Sequence, residues 1–173
     1  YASIPNIRGK TDEELRNLRE AGINELNIGG ESGLDTALTL MNKGNTAREA
    51  KEQLLRLHAA GIDYGLNLIF GAAGAGLWRE NAEATADLLN AAQPYLIFTG
   101  TVHADPGCPL YDDMLRGTFV ESTFGEYLDE EELLLSRLNL DNCYYFGLHP
   151  SNVLPMQGIL PKDKAEMFED IRG

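Results

Sequence analysis

A repeated six-residue pattern constrains this chain more than any other feature of its sequence. LREAGI at residues 18–23 and LHAAGI at residues 57–62 start 39 positions apart, about the length of one strand, one helix and their loops. In each copy the glycine occupies the position that ends a helix, and a short apolar segment follows. The chain therefore repeats a unit of helix, glycine-isoleucine turn and strand.

Two capping boxes mark where the helices of these units begin. Thr11 with Glu14, and Thr46 with Glu49, stand three residues apart. In such a box the threonine hydroxyl accepts from the later backbone N–H, and the glutamate reaches back to the cap. Leucine and alanine residues at helical spacing follow each box. The pattern predicts two helices, and strands over residues 23–28 and 64–70.

The same alternation continues as far as Pro106. Residues 78–93 carry an apolar stripe at helical spacing, and residues 95–102 are rich in β-branched and aromatic side chains. Helices that alternate with nearly continuous apolar strands predict a parallel sheet buried on both faces. About three strands, plus the end of one at residues 1–4, are too few for a closed barrel of about eight. We predict an α/β fold with a partial barrel of parallel strands.

Beyond Pro106 the sequence predicts a short helix at 110–116, an acidic helix at 126–138, a strand at 143–148, a loop from 149 and a terminal helix within 162–171. We interpret the acidic residues 129–132 as the first turn and solvated face of their helix. No linker divides the chain, so residues 1–173 are predicted to form a single domain with a short C-terminal extension from about residue 119.

Charge and cysteine content exclude several function classes. A net charge of −13 repels phosphate backbones, so nucleic-acid binding by this segment is not expected. No apolar run approaches the ~20 residues that span a bilayer, so we expect no membrane partner and a cytoplasmic location. Cys108 and Cys143 have no second cysteine or histidine at metal spacing, and we interpret them as reduced, packed thiols.

Because the chain opens on Tyr1, we expect it to be a segment of a longer protein.

Loops after the C-terminal ends of parallel strands build the sites of α/β barrels. The first such loop is GGESG, residues 29–33, in which Gly30 lets a ligand approach and Glu31 presents a carboxylate. The alternative is that Glu31 and Ser32 cap the next helix. In the second loop and the strand before it, Asn67 is the polar residue. An amide without a hydrogen-bond partner in an apolar strand lowers stability by ~1–3 kcal/mol, so Asn67 either faces a ligand or bonds a neighbouring strand.

The glycines that begin at Gly71 lack the lysine and the spacing of a phosphate-binding loop. The third loop carries His103 and Asp105, either as an acid–base pair or as part of a turn before Pro106. No metal ligand and no catalytic residue is predicted within this segment.

Several motifs, taken together, resemble the radical S-adenosylmethionine (SAM) superfamily. They are GGESG at 29–33, MNKGNT at 41–46, NLIFG at 67–71, DPGCPLY at 105–111 and HPSNVLPMQGILPKDK at 149–164. The first four resemble segments around the fourth, fifth and sixth strands of the family's barrel. The last is similar to the ending of a subgroup of uncharacterised iron–sulfur oxidoreductases that resemble coproporphyrinogen III oxidase.

The resemblance implies the C-terminal half of a barrel that binds SAM and a [4Fe-4S] cluster, with hydrogen abstraction by a 5′-deoxyadenosyl radical in the complete enzyme. It implies a cofactor-binding set of Gly30, Glu31, Ser32, Lys43, Asn67, Gly71, Thr101 and His103. Glu31 and Ser32 would lie near the methionine and ribose, Asn67 near the ribose, and the backbone at 101–103 beside adenine. The family's CxxxCxxC loop is absent from the sequence, so the cluster ligands are expected upstream and the isolated segment is expected to be inactive.

Two other functions remain open at this point. The first is a non-catalytic binding module built on the same half-barrel, and the second is an unrelated barrel hydrolase or isomerase that uses Glu31, His103 and Asp105. The substrate is an unidentified small molecule. An open sheet edge is expected to allow pairing between copies of the chain.

Overall fold

Five strands form one sheet whose spatial order follows the chain from β1 to β5. The computed structural model describes all 173 residues. The strands are β1 (Glu25–Glu31), β2 (Asp63–Phe70), β3 (Leu96–Thr101), β4 (Cys143–Gly147) and β5 (Met156–Leu160). Strands β1 to β4 pair in parallel, whereas β5 is antiparallel to β4. The predicted α/β class with a parallel sheet is confirmed.

Helices connect the parallel strands and pack on one face of the sheet. They are α1 (Ile4–Arg8), α2 (Asp12–Glu20), α3 (Asp35–Leu40), α4 (Ala47–Ala59), α5 (Trp78–Ala92), α6 (Pro109–Arg116), α7 (Phe124–Arg137) and α8 (Lys164–Arg172). The strongest helix contact joins α5 to α7, while α4 and α7 contact β2 and α8 contacts β5. None of these helices combines the length and apolarity needed to cross a membrane.

Both predicted capping boxes are present. The hydroxyl of Thr11 accepts from the N–H of Glu14 at 3.1 Å, and that of Thr46 accepts from Glu49 at 3.2 Å. Gly22 and Gly61 have φ of 99° and 74°, a left-handed conformation that favours glycine where a helix ends. The repeated unit is therefore confirmed at both its helix starts and its helix ends.

One prediction about strands holds at a single residue, and another is wrong. Residues 1–4 contribute only a single bridge, from Ala2 to Ile28, because Ser3 caps α1 through a box with Asn6. The segment predicted as a loop from residue 149 contains β5, whose burial alternates so that Met156, Gly158 and Leu160 face inward. This period of two is short and contains a glycine, which hides it among turn signals.

The helices cover only one face of the sheet, which contradicts the prediction of a sheet buried on both faces. On β2, Tyr64, Leu66, Leu68 and Phe70 are buried, and the intervening Asn67 and Ile69 are only half-buried. The same alternation occurs on β3, β4 and β5. The open face therefore consists of every second residue of each strand, and it is the face that carries the candidate site.

Candidate functional site

A row of paired residues crosses the open face of the sheet. In register across the strands are Gly29, Asn67, Phe98, Phe146 and Gln157. The rings of Phe98 and Phe146 stack with centroids 5.2 Å apart. The row places an amide beside an aromatic platform, a combination suited to a ligand with a flat ring and a polar edge.

A cavity of about 300 Å³ opens above this row, towards the C-terminal ends of β1, β2 and β3. Its lining residues are Glu31, Asn67, Leu68, Ile69, Phe98, Gly100, Thr101, His149 and Ser151. The side chain of Asn67 is half-buried and makes no hydrogen bond with the protein. The alternative in which its amide bonds a neighbouring strand is therefore not observed, and contact of Asn67 with a ligand stays a prediction.

Glu31 ends β1 in an unusual conformation. Its φ is 61° and the β1–β2 register shifts between Gly29 and Glu31, so a non-glycine residue is held in the left-handed region, which costs of order 1–3 kcal/mol. This bend folds the carboxylate back over Gly29, where a Cβ would lie 2.5 Å from Oε1 of Glu31. A side chain at residue 29 would therefore displace the carboxylate of Glu31 from its present position.

Lys43 pairs with this carboxylate. Its Nζ lies 2.9 Å from Oε1 of Glu31, and the two side chains retain 20% and 15% of their exposure. Lys43 is thus paired with Glu31 and does not itself line the cavity. The other carboxylate oxygen of Glu31 has no partner in the protein and is available as an acceptor at the cavity.

Ser32 is turned away from the cavity. It is fully buried, and its hydroxyl lies 2.5 Å from Oδ1 of Asn81 and accepts from the N–H of Leu34 at 2.8 Å. Ser32, a residue of the predicted set, therefore does not line the cavity. The capping interpretation holds in part, because Ser32 bonds the residue just before α3.

Neither glycine of the predicted set lines the cavity. A Cβ at Gly30 would lie 3.6 Å from the carbonyl oxygen of Asn67, an ordinary contact. Gly71 has φ of 73° and its N–H donates to the carboxylate of Glu130 at 3.0 Å. Gly71 therefore ties the loop after β2 to helix α7 and does not line the cavity.

His103 and Asp105 do not form an acid–base pair. Both are exposed, and no hydrogen bond joins them. His103 instead lines a second, more apolar cavity of about 360 Å³ between α3 and α6, together with Ile69, Thr101 and Cys108 among others. The turn interpretation of this loop fits the structure better than the hydrolytic one.

The segment after β4 completes the first cavity, although the sequence motifs did not place any of its residues in the site. Nδ1 of His149 lies 2.7 Å from Oγ of Ser151 and 3.2 Å from the backbone nitrogen of Ser151. The His149 ring meets Phe98 edge-on at 5.9 Å. The motif residues 149–152 signalled this segment, but only the pairing of β4 beside β3 places it at the site.

Asn152 and Ser151 hold this segment against β3. Nδ2 of Asn152 donates to the carbonyl oxygens of Thr99 at 3.0 Å and Gly147 at 2.8 Å. The N–H of Thr101 donates to Oγ of Ser151 at 3.0 Å. Thr101, a predicted site residue, therefore lies at the junction of both cavities with its backbone and hydroxyl already engaged by the 149–152 segment.

The residues of the chain do not fit an iron–sulfur cluster. Cys143 is buried and burial raises the pKa of its thiol to about 12, whereas a cluster ligand must be a thiolate. Cys108 caps α6 by accepting from the N–H of Tyr111. No group of three or more histidine, cysteine or acidic side chains is arranged to hold a metal ion.

Buried acidic residues of α7 correct the interpretation of residues 129–132. Glu130 and Glu131 are each 2% exposed, and they lie in the middle of the helix, not in its first turn. The hydroxyl of Tyr145 donates to Glu131 at 2.6 Å, and Glu130 accepts from Asn81 and Gly71. Burial raises the pKa of both carboxyls to about 7. The acidic composition of this helix suggested a solvated face. The sequence alone could not show that α5 and β4 pack against that face.

Comparisons with known proteins found similarity to parts of two larger proteins. No family model matches the chain. Over 90 residues, 52% of this chain and 19% of the relative, it is 33% identical to a tRNA-2-methylthio-N(6)-dimethylallyladenosine synthase of Colwellia psychrerythraea. Its fold is similar to that of the archaeal Methanocaldococcus infernus Elp3 with residues 1–46 deleted, with a TM-score of 0.62 and 17% identity over 75% of this chain and 30% of that one. The match thus spans less than a third of either protein, and the predicted partial barrel is confirmed as a fold.

Proposed function

We propose that this chain forms part of the SAM site of a radical SAM enzyme. Both relatives belong to the radical SAM superfamily, and the motifs at residues 29–33, 67–71 and 105–111 resemble that family in the same order. The observation that carries the proposal is the cavity in which the free amide of Asn67 and one free oxygen of Glu31 converge at the C-terminal ends of parallel strands. These two groups supply both a donor and an acceptor for a ribose.

Each residue of the cavity has a specific part in this proposal. Asn67 and Glu31 would form hydrogen bonds with the ribose hydroxyls, and Phe98 would contact the adenine ring. Gly100 has no side chain and so leaves space in the cavity beside Thr101. Lys43 would act indirectly, by holding Glu31 in place. SAM is the methyl-sulfonium cofactor whose reductive cleavage yields a 5′-deoxyadenosyl radical in this family, and the cluster that cleavage needs would be held by residues outside these 173.

The type of reaction and the substrate are proposed separately from the SAM site itself. The tail motif at 149–164 supports an iron–sulfur oxidoreductase of the coproporphyrinogen oxidase-like subgroup, acting on a small molecule in the cytoplasm. The relative from Colwellia is instead named a synthase that modifies tRNA. The alternative of a non-catalytic binding module is favoured by one observation, the lack of cluster ligands in the chain.

Asn67 provides the first test. We expect Asn67→Ala to weaken SAM binding about tenfold, since it removes hydrogen bonds worth ~1–1.5 kcal/mol. Isothermal titration calorimetry on the protein measures the change. Asn139→Ala is the matched control, because the side chain of Asn139 is exposed and only its backbone is engaged. Equal affinities for the two variants would remove Asn67 from the SAM site.

A further inference from the structure

Glu130 is a buried carboxyl that the proposed function does not use. It lies on α7, 2% exposed, and it does not line either cavity described above. No lysine, arginine or histidine pairs with it. Because an unpaired carboxylate is costly to bury, its place in the core calls for a specific role.

The hydrogen bonds of Glu130 reach both loops that border the site. Oε2 accepts from the N–H of Gly71, the first residue after β2, at 3.0 Å. Oε1 accepts from Nδ2 of Asn81 at 2.5 Å, and Oδ1 of Asn81 in turn lies 2.5 Å from the hydroxyl of Ser32, the residue after Glu31. One carboxylate therefore fixes the ends of β1 and β2, between which Glu31 and Asn67 face the cavity.

This arrangement is strongest with the charged form of Glu130, because a protonated carboxyl accepts hydrogen bonds more weakly. Both partners are donors, and a carboxylate accepts such bonds about twice as strongly as a neutral group does. The ionisable groups nearest to Glu130 are Glu126, Tyr127 and Glu131 of its own helix and Tyr145 of β4. From α5 and the β2 loop it meets only the neutral groups of Asn81 and Gly71. Burial first, and then the negative charges of Glu131 and Glu126, raise the pKa of Glu130 to about 7.

We propose that Glu130 is a positioning residue whose loss or gain of a proton tightens or loosens the two loops of the ligand site, so that ligand affinity depends on pH. The ionised form holds Gly71 and the Asn81–Ser32 pair. Proton uptake weakens both bonds and frees the loops. That the ligand is SAM rests on the proposed function, but the coupling of the loops to Glu130 does not.

Nuclear magnetic resonance tests the coupling without any ligand. Between pH 5.5 and 8.5 the carboxyl carbon of Glu130 and the amide of Gly71 should titrate together in the native protein, with a midpoint of about 7. In Glu130→Gln the Gly71 amide should no longer titrate in this range. Glu132→Gln is the matched control on the same helix, since Glu132 pairs with Arg172 at the surface. It should leave the Gly71 titration unchanged.

SAM affinity measured over the same pH range tests the consequence for the site. We expect the native protein to bind SAM about fivefold more weakly at pH 5.5 than at pH 8.5, with the dependence lost in Glu130→Gln and kept in Glu132→Gln. If Gly71 and Glu130 titrate together but SAM binds at no pH, the proposed function fails and the coupling stands. If the Gly71 amide of the native protein does not follow the Glu130 carboxyl, or if SAM affinity in the native protein is the same at both pH values, the proposal is overturned.

Discussion

Replacing Gly33 with alanine is expected to lower the free energy of unfolding by about 3 kcal/mol. A Cβ at Gly33 would overlap the carbonyl group of Ala84 and would lie 2.7 Å from Cα of Thr85, both backbone atoms of α5. The N–H of Gly33 also donates to Oγ1 of Thr85 at 2.9 Å. Because the obstacle is helix backbone and not a flexible side chain, the loop after β1 has to move away from α5.

Gly125 offers a matched control for this change. It lies in the first turn of α7, a Cβ added there would have no atom within 4 Å, and its φ is not positive. Gly125→Ala should leave stability unchanged or raise it by up to about 1 kcal/mol through helix propensity. Urea unfolding midpoints compare the two variants. Similar urea midpoints for Gly33→Ala and Gly125→Ala would contradict the claim that the loop after β1 packs closely on the backbone of α5.

The second large effect is expected for Tyr145→Phe. Tyr145 is fully buried, and its hydroxyl donates to Glu131 at 2.6 Å. Removing that donor leaves a buried carboxylate without its partner, which costs about 3 kcal/mol when the carboxylate is charged and about 1 kcal/mol when it is neutral. The destabilisation measured by urea unfolding should therefore be larger at pH 8 than at pH 5.

The sign of this pH dependence follows from the raised pKa of Glu131. Its native pKa of about 7 lies above the ordinary value of 4.5, so the native state binds more protons than the unfolded state between these values. The contribution of Glu131 to stability is complete below about pH 4.5 and is lost as the pH rises to 7. The hydrogen bond from Tyr145 lowers the pKa of Glu131, so Tyr145→Phe raises that pKa further. The variant therefore loses more stability than the native protein as the pH rises.

Tyr144 provides the control for the Tyr145 variant. It is the neighbouring residue on β4, it is 38% exposed, and its hydroxyl donates to Gln157 at 2.5 Å on the open face. Tyr144→Phe should cost less than about 1 kcal/mol, with the same value at pH 5 and pH 8. A Tyr145→Phe cost that is equally independent of pH would contradict the role given to Glu131.

The local elements of the fold could be predicted because their signals are short-range. The boxes at Thr11 and Thr46 and the glycines at 22 and 61 act within one helix turn, and the alternation of helix and strand implies a parallel sheet. The strand β5 was missed because its alternation of buried and exposed residues is short and contains Gly158. Burial on one face only was also missed, since it depends on which side of the sheet the helices cover.

The site could be predicted only in part for the same reason. Glu31 and Thr101 end their strands, Asn67 lies inside β2, and all three line the cavity. Ser32 faces the opposite way because Asn81 binds its hydroxyl from α5. His149 and Ser151 reach the cavity through the order of β3 and β4, and a long-range pairing of this kind leaves no local pattern in the sequence.

The central claim is that the cavity above Asn67 binds SAM, and its most direct test is a titration of the isotope-labelled protein with SAM followed by nuclear magnetic resonance. S-adenosylhomocysteine serves as the control, because it lacks the sulfonium charge that a chain of net charge −13 attracts non-specifically. We predict that both compounds shift the amides of Glu31, Asn67, Gly100 and Thr101 and that added salt leaves these shifts in place. Shifts spread over the acidic surface and abolished by salt, or no shifts at millimolar SAM, would contradict the claim.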